Sequence, residues 1–179
     1  MSYDILVIGD MNVDLLVSGN AQPQFGQVEK LVDQCVITTG GSANIFASQF
    51  ARLGGQIGVI GKVGNDAFGE LLVNNLKQAG VDTSQIIKTG ELQTGLSICL
   101  IEGDDRAILT YSGSIQGISA SDIREEFFGQ TRHWHIASFY LLENLLPHWQ
   151  VLCRNMKRAG LTISLDTNWD PHKRWDSVR

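Results

Sequence analysis

Two polar side chains interrupt an otherwise apolar stretch near the start of the chain. Asn12 and Asp14 lie two residues apart within residues 11–17, so an extended backbone places both on one face. Amide and carboxylate groups on an apolar strand need a ligand or buried hydrogen-bond partners. The pair is therefore a candidate for binding a polar ligand, and the alternative is an edge strand that faces solvent.

A pair of glycines, Gly40 and Gly41, precedes a segment in which Phe46, Phe50 and Leu53 recur at helical spacing. Glycine lets the backbone approach a ligand closely. The unpaired N–H groups at the start of a helix favour oxygen-rich ligands. The sequence therefore predicts either a ligand-binding helix start or an ordinary strand-to-helix turn, with a glycine cap at the far end.

Polar residues also follow two later strand patterns. Glu143 comes after the buried-strand pattern at residues 133–138, and Asp166 and Asn168 follow the strand pattern at residues 161–165. Open α/β sheets bind ligands at the carboxyl ends of their strands. These three residues are therefore predicted at the ligand-binding edge of the sheet.

Two other groups have a metal-binding interpretation. His133 and His135 share one face of a strand, which suits zinc, but no third ligand lies nearby in sequence and a structural role is favoured. Asp104 and Asp105 occupy the tip of a predicted hairpin, where aspartate is an ordinary turn residue. We assign no metal site and no catalytic residue from the sequence.

The elements that must position these residues alternate between strand and helix. Continuous apolar runs at residues 5–8 and 56–61 are typical of strands buried in a parallel sheet. Helices are predicted at residues 68–80, with Asn65 or Asp66 as the cap, and at residues 119–126 and 145–159. A single α/β domain over residues 1–179 follows, with an inserted antiparallel set at residues 12–18, 28–38 and 94–112.

The composition excludes several classes of protein. The 179 residues are 43% hydrophobic and 18% charged, and 14 basic against 19 acidic residues give a net charge of −5. Without a basic run the chain is a poor candidate for nucleic-acid binding, and no apolar run is long enough to cross a membrane. No secretory leader pattern precedes the first strand, and Cys35, Cys99 and Cys153 fit neither a disulfide framework nor a zinc site. We expect reduced cysteines and a cytoplasmic location.

Three stretches together resemble the ribokinase-like (pfkB) carbohydrate kinase family. They are residues 7–14 with Asn12-x-Asp14, the segment from Gly40-Gly41 to residue 69, and residues 160–171 with Asp166 and Asn168. The resemblance covers essentially the whole chain. It implies a Rossmann-like core with a small β-sheet lid that closes over a sugar.

The resemblance also implies roles for individual residues. Asp14, two residues after Asn12, would bind sugar hydroxyls. Gly40 and Gly41 would bring backbone N–H groups to the substrate, and Glu143 would also reach the sugar. Asp166 and Asn168 would lie towards the transferred phosphate. The resemblance also implies that the intact protein uses ATP and Mg²⁺. Lid strands often pair between subunits in the family, so a homodimer through the lid is expected.

Two departures from the family pattern bear on the substrate. Where many members have a substrate-binding asparagine this chain has Ile45, and Asn44 lies one position earlier. Either Asn44 contacts the ligand from the helix start, or this subgroup recognises its sugar differently. The second departure is Asp170, which replaces an arginine that many members have two positions after the asparagine.

The family's catalytic Gly-Ala-Gly-Asp turn and its Asn-x-x-Glu motif do not occur in these 179 residues. We therefore expect the sugar-binding part of an ATP-dependent sugar kinase, truncated at its C-terminal side and inactive alone. The alternatives are a non-catalytic sugar-binding or dimerising module and a dinucleotide-binding domain, although the first strand lacks the Gly-x-Gly-x-x-Gly spacing of the latter. Ribose, fructose, 2-keto-3-deoxygluconate and a nucleoside all remain open as substrates.

Overall fold

Nine strands and three α-helices make up the structure, a computed structural model that describes residues 3–173 and residue 175. In chain order the strands are β1 (Tyr3–Ile8), β2 (Asn12–Ser18), β3 (Gln34–Gly40), β4 (Ile57–Gly64), β5 (Ile86–Thr89), β6 (Gly95–Glu102), β7 (Asp105–Tyr111), β8 (Thr131–Ile136) and β9 (Thr162–Leu165). The helices are α1 (Ser42–Arg52), α2 (Ala67–Gln78) and α3 (Trp149–Arg158). Among the described residues, no helix combines the length and the apolar character needed to span a membrane.

The central sheet has the order β5-β4-β1-β8-β9, and all of its strand pairs are parallel. Side chains alternate across β1, so Leu6 and Ile8 face α3 and Trp134, whereas Val7 faces α1 and α2. The sheet is therefore buried on both faces, which explains the continuous apolar runs and confirms the predicted α/β class.

A second sheet, the lid, has the order β3-β2-β6-β7. It contains the predicted strand at residues 12–18 and the predicted hairpin, but it is mixed rather than antiparallel, because β2 and β6 run in parallel. Since β2 lies between β3 and β6, the alternative of a solvent-facing edge strand for Asn12 and Asp14 is wrong.

The strand predicted over residues 28–38 begins only at Gln34, which pairs with Ser18 at the end of β2. Beyond Ser18 the chain turns away, because Gly19 and Asn20 adopt left-handed φ angles of 74° and 55°. Residues 28–33 consequently have no neighbouring strand to pair with, although their apolar alternation resembled a strand.

The helix predictions are confirmed in part. Asp66 caps α2 as expected, since its carboxylate accepts the N–H of Gly69 at 2.8 Å. Residues 145–159 are not one helix: a 3₁₀ segment over Glu143–His148 contains Pro147, and α3 starts only at Trp149. Proline lacks the N–H that an interior α-helical position donates. The helix predicted over residues 119–126 is instead two 3₁₀ turns, Ala120–Asp122 and Glu125–Gly129.

Candidate functional site

The Asn12–Asp14 pair lies at the base of the lid. The Asn12 side chain donates from Nδ2 to Asp14 Oδ1 at 2.6 Å and to Ser97 Oγ at 3.2 Å. Ser97 Oγ in turn lies 3.1 Å from Thr110 Oγ1 on β7. A row of polar side chains thus crosses three lid strands on the face that carries Asp14. The hydrogen bond from Asn12 fixes the orientation of the Asp14 carboxylate.

Asp14 is half-buried, and its carboxylate packs against the backbone of Gly40 on the adjacent strand. A Cβ atom at Gly40 would overlap the carboxyl group itself. Burial raises the pKa of Asp14, the Asn12 hydrogen bond and Arg106 lower it, and Asp10 raises it. The carboxylate has few donors compared with its acceptor capacity, which leaves it able to accept hydrogen bonds from a ligand.

Gly41 forms the turn between β3 and α1 and must be glycine for two reasons. Its φ is 85°, in the left-handed region. A Cβ at this position would also lie 2.6 Å from the carbonyl oxygen of Asp10 and 3.0 Å from Asn12 Oδ1. The sequence predicted that the glycine pair lets the backbone approach a ligand closely. In the structure the backbone at Gly41 instead approaches Asp10 and Asn12 of the same chain.

Asp10, at the end of β1, is a residue that the motif analysis did not single out. Asp10 is only 3% exposed, and its carboxylate accepts the backbone N–H of Ala43 at 3.2 Å. Burial raises the pKa of Asp10, and interactions with the Ser138 side chain and with the backbone of Ala43 and Ser42 lower it in part. A polar residue that ends a buried strand was the available sequence signal.

The occupied helix start changes the interpretation of α1. Its own cap residue, Gly41, has no side chain to bond the first N–H groups, and the first turn contains no acidic residue. Asp10 supplies the missing acceptor from another strand and places a carboxyl group where an anionic ligand would bind. The start of α1 is therefore not a phosphate cradle in this structure.

Asn44 and Ile45 are adjacent on α1, but Asn44 is buried and Ile45 is exposed. Asn44 is 1% exposed, and its Oδ1 has no hydrogen-bond partner among the described residues. Ile45, at the family's asparagine position, is 49% exposed. This arrangement favours the alternative that the subgroup recognises its sugar differently, and a sugar contact from Asn44 stays a prediction.

The loop after β9 meets the start of α1, as predicted for the carboxyl edge of the sheet. Asp166 Oδ1 accepts the backbone N–H of Asn168 at 3.0 Å. The Asn168 side chain donates from Nδ2 to Ser138 Oγ at 3.0 Å and lies 3.5 Å from Ser42 Oγ. Asn168 has a left-handed φ of 51°, a conformation that asparagine tolerates better than most residues.

Comparison with known proteins decides the family. The family model described as pfkB family carbohydrate kinase matches residues 2–176. The chain belongs to the pfkB family of carbohydrate kinases.

Three pfkB relatives illustrate the likeness. A 5-dehydro-2-deoxygluconokinase of Geobacillus thermodenitrificans is 30% identical over 180 residues, which are 97% of this chain and 51% of that protein. The ribokinase of Bacillus subtilis is 35% identical over 107 residues, 59% of this chain and 36% of that protein. A ribokinase-type protein of E. coli, solved in complex with ATP and Mg²⁺, superposes with a TM-score of 0.77 at 26% identity, over 93% of this chain and 53% of that one.

This pfkB chain spans about half the length of the relatives that it matches along its whole length. The resemblance to the family and the predicted fold class are confirmed. The roles of the individual residues are not tested by these matches.

Glu143 follows the end of β8, in the segment that leads to α3. It starts a 3₁₀ segment, is exposed, and its Oε1 lies at hydrogen-bond distance, 2.7 Å, from His172 Nε2. A contact between Glu143 and the sugar stays a prediction.

His133 and His135 bond to the neighbouring strand. His133 Nε2 and His135 Nδ1 each lie 2.8 Å from Ser164 Oγ on β9. Burial lowers the pKa of both imidazoles, so both are neutral near pH 7. Among the described residues, no three His, Cys, Asp or Glu side chains are grouped so that they could hold a metal ion.

A groove of about 480 Å³ runs along the outer side of α1, between the helix and the edge of the sheet. The helical stripe predicted from Phe46, Phe50 and Leu53 lines it, and His135 stacks on Phe46 with ring centroids 4.1 Å apart. The side of α1 that packs into the core instead carries Ala43, Asn44, Ala47 and Ser48. Small side chains thus let the helix approach the sheet closely.

Proposed function

We propose that the protein transfers the γ-phosphate of ATP to a hydroxyl of a monosaccharide or related polyol, and that these 179 residues bind the sugar. The observation that supports this most directly is the half-buried Asp14 carboxylate on the lid, which Asn12 holds by a hydrogen bond and which packs against Gly40. Charge-assisted hydrogen bonds from sugar hydroxyls to a fixed carboxylate are stronger than neutral ones and depend on geometry. Membership of a carbohydrate kinase family supports the class of reaction.

The substrate is proposed at the level of its class. The relatives are named ribokinase, 5-dehydro-2-deoxygluconokinase and 2-dehydro-3-deoxygluconokinase, and they differ in the sugar that their names give. Hydroxyl-binding groups such as Asp14 suit many polyols. A titration panel should therefore include ribose, fructose and 2-keto-3-deoxygluconate, with a nucleoside as the fourth ligand.

ATP and Mg²⁺ are the proposed co-substrate and metal, because a solved relative holds both. Asp166 lies at the phosphate side of the proposed cleft and offers carboxylate oxygen, the donor type that Mg²⁺ prefers. Asn168 fixes the loop beside it through its hydrogen bond to Ser138. When bound, the metal neutralises charge on the phosphates, and the part of this chain is to hold the sugar hydroxyl in line.

The test separates sugar binding from catalysis. Isothermal titration of the purified 179-residue chain with the sugar panel, without and with nucleotide, should show binding of one sugar, and Asp14→Asn should weaken it. A coupled assay should detect no sugar-dependent ATP turnover by this chain alone, because the family's catalytic turn is not among its residues. Turnover above that of an Asp14→Asn control would contradict the second expectation, and no heat with any sugar would contradict the first.

A non-catalytic dimerising role is a second candidate, and one feature of the lid favours it. Four apolar side chains in register cross the lid on the face opposite Asp14: Ile37, Leu15, Ile98 and Leu109. The outer two, Ile37 and Leu109, are 55% and 61% exposed. An exposed apolar sheet face of this kind is suited to an interface between two copies of the chain.

Light scattering after size exclusion tests the dimer. The chain is expected to elute as a dimer, and Ile37→Asp with Leu109→Asp should convert it to a monomer. Leu31→Asp is the matched control, since Leu31 is an 84% exposed leucine outside the lid strands. A monomeric parent chain, or a dimer that persists with both lid substitutions, would contradict the proposed dimer interface on the lid.

A further inference from the structure

Two of the four chain segments that connect the lid to the rest of the structure lie side by side. They contain Gln93 and Thr94, just before β6, and Gly113 and Ser114, just after β7. The backbone N–H of Ser114 donates to the carbonyl oxygen of Gln93 at 2.8 Å, and the Ser114 hydroxyl donates to the carbonyl oxygen of Lys62 on β4 at 2.8 Å. The β6–β7 half of the lid is therefore attached to the core at one place, the end of β4.

At this place Asp66, the residue that caps α2, also holds Thr94. Asp66 Oδ2 accepts the backbone N–H of Thr94 at 2.8 Å, and Asp66 Oδ1 accepts the Thr94 hydroxyl at 2.7 Å. The same hydroxyl accepts the N–H of Gly64, at the end of β4, at 2.9 Å. Thr94 is only 2% exposed, so water does not compete for these bonds. A residue that leads into the lid is thus bonded to both β4 and the start of α2.

The backbone packs too closely around this contact for side chains to fit. A Cβ atom on Gly64 would overlap Asp66 Oδ2 and lie 2.6 Å from the Thr94 nitrogen. A Cβ atom on Gly69, in the first turn of α2, would overlap the carbonyl oxygen of Gly64 and lie 3.1 Å from Thr94 Oγ1. Close packing on these sides, together with the hydrogen bonds, leaves Thr94 little freedom to move relative to α2.

The position of Thr94 affects the row of polar side chains beside Asp14. Gly95, which follows Thr94, is in register with Asn12 on β2, and Ser97 is in register with Asp14. Ser97 Oγ accepts from Asn12 Nδ2 at 3.2 Å, and the same Nδ2 donates to Asp14 at 2.6 Å. If Thr94 were displaced, β6 would shift against the core, and Ser97 and Asn12 would change the position of the Asp14 carboxylate with it.

We propose that Asp66 and Thr94 are positioning residues, which fix the lid strand β6, and through it the Asp14 carboxylate, relative to the core. This role goes beyond capping α2, because a cap needs only the N–H of Gly69, whereas two of the hydrogen bonds of Asp66 go to Thr94. The contact itself is formed within the chain, and its importance for a sugar rests on the proposed kinase function.

Asp66→Asn separates the lid contact from the helix cap. Asparagine caps helices about as well as aspartate, and its Oδ1 can still accept the N–H of Gly69. Its amide nitrogen takes the place of Oδ2 and cannot accept the N–H of Thr94, because an amide nitrogen only donates. The variant should therefore keep the first turn of α2 and lose the bond that holds the backbone before β6.

The test uses NMR of the isotope-labelled 179-residue chain without sugar. In Asp66→Asn the backbone N–H of Thr94 should exchange with solvent about 10-fold faster or more, because it loses a charged acceptor. The side-chain amide signals of Asn12 should move, although Asn12 forms no hydrogen bond with either residue. The N–H of Gly69 should exchange at the rate of the parent chain. A residue that only capped α2 would leave the Asn12 signals in place.

A second variant and two controls accompany it. Thr94→Val removes the bridging hydroxyl and should also move the Asn12 signals, whereas Thr94→Ser keeps the hydroxyl and should leave them in place. Asp82→Asn is the matched control, because Asp82 accepts the Tyr3 hydroxyl at 2.6 Å and the N–H of Ser84 at 2.8 Å, outside the lid. It should leave the Asn12 signals unchanged. Parent values for the Asn12 amide in both Asp66→Asn and Thr94→Val would overturn the proposal.

Titration with the sugar that binds the parent chain adds a functional readout. Losing one hydrogen bond that positions the site should weaken binding by about 2- to 12-fold in Asp66→Asn and in Thr94→Val. Thr94→Ser and Asp82→Asn should bind as the parent does. Unchanged affinity in the first two variants, beside moved Asn12 signals, would overturn the positioning role. If the parent chain binds no sugar, the proposed function fails, while the Asn12 signals still decide whether Asp66 and Thr94 position the lid residues.

Discussion

Gly40→Ala would displace the Asp14 carboxylate without removing a polar group from the chain. The added methyl group would overlap the carboxyl group of Asp14, so one of the two must move. Gly40 does not have a left-handed φ, so alanine causes no backbone strain of its own. The perturbation therefore acts through the side chain of Asp14, which also holds the 2.6 Å hydrogen bond from Asn12.

The magnitude follows from these contacts. Inserting a methyl group into a packed site costs about 1–3 kcal/mol. For a domain of this size each kcal/mol lowers the melting temperature by about 2–4 °C. If Asp14 turns away from the ligand, a hydrogen bond to a charged group worth about 1.5–3 kcal/mol is lost, which weakens sugar binding about 10- to 150-fold.

Thermal unfolding and isothermal titration measure the two effects on the same variant. Gly90→Ala is the matched control, because a Cβ there meets nothing within 4 Å and its φ is not left-handed. Its melting temperature is expected to stay the same or rise slightly, since alanine restricts the unfolded chain. A Gly40→Ala chain with the melting temperature and sugar affinity of the parent would refute the packing argument.

Two further predictions concern carboxylates with shifted pKa values. Burial opposes it, but hydrogen bonds from Thr94 and Gly69 lower the pKa of Asp66. Its contribution of about 0.5–2 kcal/mol is therefore present above about pH 4 and is lost progressively as the pH falls below that. The free energies of urea unfolding of Asp66→Ala and the parent should differ at pH 7, and the difference should shrink as the pH falls below about 4. Burial raises the pKa of Asp14, so sugar affinity should decline on acidification before an ordinary aspartate would protonate. Titration calorimetry across pH should show this decline in the parent, and Asp14→Asn should bind weakly without it.

The sequence predicted the parts of the fold that depend on local pattern. Apolar runs located the parallel strands, the Gly103 hairpin located β6 and β7, and Asp66 was identified as a cap for α2. The error at residues 28–33 and the mixed lid have a common cause. Strand pairing depends on which segments come to lie side by side, and neither the alternation before Gln34 nor the order of β2 and β6 contains that information.

The candidate site was predictable where chemistry coincided with spacing. Asn12 and Asp14 share a face because strands alternate, and Gly41 needs its left-handed backbone. Asp10 and Ser138 could not be found in this way, because each forms a hydrogen bond with a residue 30 or more positions away in sequence. Only the folded sheet brings the ends of β1, β8 and β9 together.

The Asp10 carboxyl group at the start of α1 indicates which part of the proposed kinase cleft holds the sugar and which holds the phosphate. A free helix start attracts phosphate, because its N–H groups are unpaired and its dipole is positive. Here Asp10 accepts the N–H of Ala43 and is almost fully buried, so a phosphate would meet a carboxyl group and an N–H that is already hydrogen-bonded. A neutral sugar hydroxyl meets no such penalty. We infer that α1 and the glycine turn shape the sugar side of the cleft, and that the transferred phosphate is held beyond Asn168.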